Sequence, residues 1–366
     1  MTAPDDAGAP RAVGGSSKVT ETLSQFVARV LDQLSLSAWL PSAALVLLLA
    51  FVVQLGAVLD GPQPPRSPLT AIGQAFSAIG QTSIGGALLL VVAVVVLTMV
   101  TQAFSFEAIR TLEGYWGTNH VVEWVAGRRC GHYRTVHKKL EARLAKLTKA
   151  AWGGAAGEIE RIQQELVERG RSVEFTPNMI SALGAPVLGR KPIVTLTEEE
   201  DEIVRDIDWR DYAPAELLRR RLNVDKRLRD FPAPRRMLPT RLGNVLRHHE
   251  DETGRESIES LVQEVFDRLP LSLQAEHDEQ RTKLDLYCSM VFIVAVVTLT
   301  AAARFAERNW DYSVGAVAVG TVGMWLMYRA AVASARAYGG LLLLIAKYLP
   351  GAETTASGGT GSGQRA

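Results

Sequence analysis

Two groups of side chains in this chain have the types that could hold a metal ion: Cys130 with His132 and His137, and His248 with His249 and Asp251. Neither has metal-site spacing, because zinc takes three or four N and S ligands in recurrent short pairs. The five carboxylates Glu198 to Glu202 lack the alternating ligands and the turn glycine of a calcium loop. They read instead as a helix start, where acidic side chains meet the positive end of the helix dipole. No GxxxxGK[ST], GxGxxG, HExxH or GxSxG pattern occurs, so nucleotide cradles and the familiar hydrolase mechanisms have no support. The expected catalytic, metal and cofactor sets are therefore empty. With two cysteines, Cys130 and Cys288, there is no disulfide framework, which fits a reducing compartment.

What remains is a set of structural or interaction candidates. Arg110 and Glu113 lie one helical turn apart and are suited to pair with each other, or with the loop at 239–244, at the membrane surface. Tyr115 and Trp116 follow directly and suit a lipid headgroup layer. In Pro239-Thr240-Arg241-Leu242-Gly243-Asn244 the proline fixes an extended residue before a turn and a helix, with Leu242, Val245 and Leu246 facing inward and Thr240, Arg241 and Asn244 available for polar contacts. The segments LEGYWG (112 to 117) and LPTRLGNVLRHHED (238 to 251, after FPAPRRM) resemble motifs of a poorly characterised family of bacterial polytopic membrane proteins. DRLPLSLQAEHDEQRTKLDLYCSM resembles that family's lead into a further membrane hairpin. The resemblance covers roughly Trp39 to Tyr348, departs at ETGRESIESLVQEVFDRL, and carries no assigned activity.

The elements that must position these residues are set by charge. Gln33 to Leu59 and Ser67 to Phe106 contain no Asp, Glu, Lys or Arg, and about 20 mostly apolar residues suffice to cross roughly 30 Å of hydrocarbon as a helix. Of 40 basic and 39 acidic residues, 30 of each fall between Glu107 and Lys283, a charge-balanced block that reads as water-facing. Balance this even supplies no net field for nucleic acid, and none is expected as a partner.

The expected fold is mainly α: four transmembrane helices in two hairpins, with a mostly helical cytoplasmic insertion carrying minor β structure. Residues 1–18 are a disordered tail, 19–36 an amphipathic helix, and 37–106 a first hairpin with spans near 39–59 and 84–104. Residues 107–283 are the insertion, and 284–330 a second hairpin with spans near 286–303 and 312–328. A C-terminal helix (331–349) and a disordered tail (350–366) follow. In AIGQAFSAIGQTSI the heptad sets Gly73 with Gly80 on one stripe, which is read as close helix packing or a re-entrant segment. HYRTVHKKLEARLAKLTKAAW and AGEIERIQQELVERG flank GGAAG and are read as an antiparallel helical hairpin. SVEFTP and KPIVTLT are read as strand-like, and helices are expected at 213–230 and 257–283.

Arg110, Arg128, Arg129, Arg281, Lys283, Arg329 and Arg336 crowd the helix ends next to the insertion, whereas the short loops hold only Arg66, Arg304 and Arg308. The positive-inside rule then puts the insertion and both termini in the cytoplasm of a bacterial inner membrane. The spans carry no ionisable residue, which argues against coupled transport. The function expected is a non-enzymatic membrane scaffold, sensor or effector. Its partners are the lipid bilayer, an unidentified protein and a second copy of itself. An oligomeric channel is the alternative.

Overall fold

The computed structural model describes residues 36–62, 65, 67–117, 119–168, 176–192, 194–253, 262, 265–307 and 310–346. The tails and the 19–35 part of the expected amphipathic helix lie outside them. Ten α-helices and three single 3-10 turns make up the described residues, with no strand. The chain divides into two compact units, one of residues 1–109 and 281–331, the other of 110–280 and 332–366.

The first unit holds α1 (Leu36–Leu59), α2 (Pro68–Gly80) and most of α3 (Ile84–Glu113). It also takes the larger part of α9 (Leu271–Ala306) and of α10 (Trp310–Ala346). α1, α3, α9 and α10 are long and apolar enough to cross a membrane. α2 has 13 residues, starts on the Ser67 cap with proline in its first turn, and is too short to cross. Its packed stripe is Ala71 and Ala75, fully buried against Val52, Leu55 and Leu59 of α1. The glycine stripe expected to pack does not, since a Cβ on Gly73 or Gly80 would meet nothing within 4 Å. Phe51 and Phe76 add a ring contact at 4.8 Å.

Polar bonds join several elements of this unit. Ser42 of α1 shares a hydrogen bond with Thr101 of α3 at 2.7 Å. Asp60 pairs with Arg304, and Ser313 donates to the Ala302 carbonyl at 3.0 Å. On α3 only Thr98 is buried.

In the second unit the expected helical hairpin is one helix, α4 (His120–Glu168), of 49 residues. GGAAG does not break it, because glycine costs a helix only about 1 kcal/mol and packing exceeds that. Here Trp152, Ala155 and Leu183 form a core with Ile180, Val204 and Trp209 around them. Gly154 lets the Pro214 ring approach to where a Cβ would sit 2.5 Å away, and Gly184 does the same for the Trp152 indole. α5 (Pro177–Val187), α6 (Glu198–Asp206) and α7 (Ala215–Leu228) complete this region. The acidic run does begin a helix: Thr197 and Glu200 form a capping box, and Glu200 also accepts from the Thr176 cap of α5 at 2.9 Å. These bonds to the Thr197 backbone and the Thr176 hydroxyl hold the Glu200 carboxyl below its ordinary value.

The minor β structure is absent from the described residues. Of KPIVTLT, the described part is irregular chain ending at the Thr197 cap; with no strand beside it, its N–H and C=O groups have no ladder to join. Most of SVEFTP lies outside the described residues. The helix expected from 257 to 283 is interrupted: Val262 and Val265 are helical, a 3-10 turn follows at 266–268, and Pro270 holds Leu269 extended before α9 starts at Leu271, while 257–261, 263 and 264 lie outside the described residues. As far as Ala346, the helix expected at 331–349 is the unbroken continuation of α10; 347–349 lie outside the described residues.

The two neighbouring glycines of α4 should respond oppositely to alanine. Gly153→Ala enters open space and should stabilise by about 0.4–1 kcal/mol. Gly154→Ala meets Pro214 and should lower the thermal midpoint, read by tryptophan fluorescence. Equal loss from both would mean that the helix turns at this point.

Candidate functional site

The two motif segments are 120 residues apart in sequence and interlock in the second unit. α3 ends at Glu113, and Gly114 reverses the chain at φ +104°, a conformation open to glycine. Pro239 packs on this glycine at a spacing that a Cβ would violate. Thr240 donates to the Glu113 carbonyl at 2.7 Å and accepts from the Gly243 N–H at 3.1 Å, so one hydroxyl relieves an orphan carbonyl of α3 and an orphan N–H of α8 (Arg241–Thr253). Gly243 lies so close to the Glu113 carbonyl that no side chain fits between them.

Asn244 is fully buried and closes the loop before α8. Its amide accepts from the Leu238 N–H at 2.7 Å and donates to the Leu238 carbonyl at 3.0 Å. Arg247 donates to the Tyr115 hydroxyl at 2.7 Å, and the guanidinium groups of Arg247 and Arg110 both lie over the Tyr115 ring, 5.8 and 5.9 Å from its centroid. Trp116 turns back and donates to the Thr111 carbonyl at 2.6 Å. Arg110, Glu113, Tyr115, Trp116, Thr240 and Asn244 thus belong to one joint.

Arg241 points elsewhere, to Asp230 at 2.8 Å. Asp230 also receives a two-pronged bond from Arg336 of α10, at 2.6 and 2.9 Å. Burial alone would raise the Asp230 carboxyl; the bonds from Arg336 and Arg241 outweigh it and hold the pKa below its ordinary 3.8. Neighbouring His249 packs on Gly339 of α10, and burial with the charge of His248 pushes it toward the neutral form.

Between Asp230 and Thr240 the chain is a strap laid antiparallel along α4. Phe231 stacks near His137 and Tyr133. Three carbonyls then accept in turn: Pro234 from Arg134 at 3.0 Å, Met237 from Cys130 at 3.3 Å, and Pro239 from Arg129 at 3.5 Å. Burial raises the Cys130 thiol despite Arg134 nearby, the opposite of an activated nucleophile. Arg236 fastens the strap to α8 through Asp251 and Glu250.

Among the described residues no three His, Cys, Asp or Glu side chains come together as a metal site. Cys130, His132 and His137 lie along one helix, with Cys130 committed to Met237; His248 donates through Nδ1 to the Phe231 carbonyl at 3.1 Å. Sequence reasoning missed Asp230, Arg247, Arg336 and the strap-holding Arg129 and Arg134. Arg336 has no local signal, because its partner is 106 residues away. Gly114, directly after a long apolar helix, was a readable chain-reversal signal. No family model, curated protein or solved structure matches the chain.

Asn244→Ala leaves the Leu238 amide and carbonyl without partners and should cost about 2–3 kcal/mol, seen as a lower thermal midpoint in detergent. Asp230→Asn should cost about 3 kcal/mol near neutral pH, since it removes the buried carboxylate that the Arg241 and Arg336 guanidinium groups share. The folded-state pKa of Asp230 lies below the unfolded one. The carboxylate's stabilisation is therefore complete above that unfolded value and is lost as pH falls through the folded one. The gap between wild type and Asp230→Asn should accordingly narrow below about pH 4; a constant gap would show that the charge is not what holds α10.

Proposed function

We propose that this chain is a non-enzymatic scaffold, sensor or effector of a bacterial inner membrane, anchored by two helical hairpins, whose charged block binds a protein partner in the cytoplasm. The observation that carries this reading is the use made of the motif residues. Thr240, Gly243 and Asn244 hold main-chain groups of their own chain, and Arg241 and Arg247 hold Asp230 and Tyr115. Such a site joins segments: the described bonds of these side chains run to their own chain. Basic side chains crowd the α3, α9 and α10 ends next to the charged block, which supports a cytoplasmic block and cytoplasmic termini.

Purified full-length protein in liposomes is expected to give no unitary conductance under applied voltage; reproducible single-channel steps would overturn the scaffold reading in favour of an oligomeric pore. In intact cells, a cysteine placed at Ser67 in a background lacking Cys130 and Cys288 should react with an impermeant maleimide added outside. One at Ser362 should react only after lysis.

A further inference from the structure

α1, α2, α9 and α10 line a half-open cavity of about 700 Å³ within the first unit. That volume lies inside the range of about 300–1,000 Å³ usual for small-molecule sites. Its walls are Phe51 and Leu55 of α1, Ile72 of α2, Val297 and Phe305 of α9 and Val319 of α10. The Thr298 hydroxyl on the wall is already bonded to the Val294 carbonyl at 2.6 Å, so it asks for no polar ligand. Among the described residues, the one charged side chain on the lining is Asp311, in the first turn of α10. The Asp60 and Arg304 pair belongs to the same end, where α1 and α9 finish.

The depth of the cavity is its most specific property. Along α9 the lining runs from Phe305 to Val294, and along α10 from Asp311 to Gly323. Eleven and twelve residues at a rise of about 1.5 Å give about 17–18 Å, roughly half of a hydrocarbon core of about 30 Å. At the inner end the helices close up. A Cβ on Gly320 would run into Thr298, and one on Gly323 would sit 3.2 Å from Val294. A crossing helix from a second copy needs a groove through the whole thickness, whereas a void one leaflet deep matches one extended acyl chain.

We propose that this cavity binds one acyl chain of a zwitterionic phospholipid from the leaflet that adjoins Asp60 and Arg304. The proposal rests on α1, α3, α9 and α10 spanning a bilayer. Charge at the rim selects the headgroup: Asp60, Arg304 and Asp311 put two carboxylates and one guanidinium at this end, so a lipid whose headgroup carries an ammonium is matched better than an anionic one.

The test uses the full chain in phosphatidylethanolamine nanodiscs containing a trace of the same lipid with a diazirine midway along one chain, and cross-linked peptides mapped by mass spectrometry. Labelling is expected on 294–305 and 311–323. Gly315→Leu, whose side chain enters open cavity space because nothing lies within 4 Å of its Cβ, should cut that labelling several-fold while leaving the exposed Leu88, Leu89 and Val92 face of α3 labelled as before. Val319→Phe, at an exposed lining position, serves the same purpose if the first variant does not fold. A phosphatidylglycerol probe should label the cavity less. Cavity labelling unchanged by either filled variant would overturn the proposal, as would cross-links there to a second copy of the chain. Absence of label on α3 as well would instead overturn the membrane-spanning reading.

Discussion

Hydrocarbon thickness is the constraint from which the rest of the structure follows. A helix needs about 20 residues to cross a bilayer, but α3, α9 and α10 have 30, 36 and 37. Each continues past its charge-free part into sequence where polar groups must find partners. The continuation of α3 ends in the Glu113 carbonyl, met by Thr240. That of α9 carries buried His277 and that of α10 carries Tyr338, which meet at 3.1 Å. Arg336 on α10 meets Asp230. The second unit is organised around satisfying these three helix extensions.

Asp230 shows how strict that requirement is. A carboxylate with 7% of its side chain exposed is costly to bury alone, and two guanidinium groups from different elements make it tolerable. One of them belongs to the first turn of α8 and the other to α10, so the position of α8 depends on a helix 95 residues further along the chain. Charge pairs on the exposed faces, such as Arg220 with Glu216, do little by comparison, because water screens both partners.

The apolar helices were legible in the sequence because absence of charge over a whole span is a long, redundant signal, and the start of α6 because a run of carboxylates suited to the positive end of a helix is local. The site was legible in part. Both motif segments could be singled out, with contact between Arg110 or Glu113 and the 239–244 loop as one option, but the form of that contact could not, since it depends on Gly114 and Gly243 allowing two backbones to meet. GGAAG misled for a related reason. Glycine marks both a turn and a close approach, and only the ring of Pro214, some 60 residues away, shows which one applies at Gly154. The strands were misread because β-branched residues next to glycine and proline carry no information about whether a pairing partner exists.

From Pro234 to Pro239 the strap is gripped by α4 through carbonyl oxygens, which every residue type possesses. What α4 measures is therefore length. Ten residues, shortened by the 3-10 turn at Pro234–Arg236, fit the interval from His137 to Arg129, and a chain one residue longer or shorter would set its oxygens against the wrong donors. The segment acts as a ruler, fixing how far the start of α8 stands from the end of α7 whatever side chains line its outer edge.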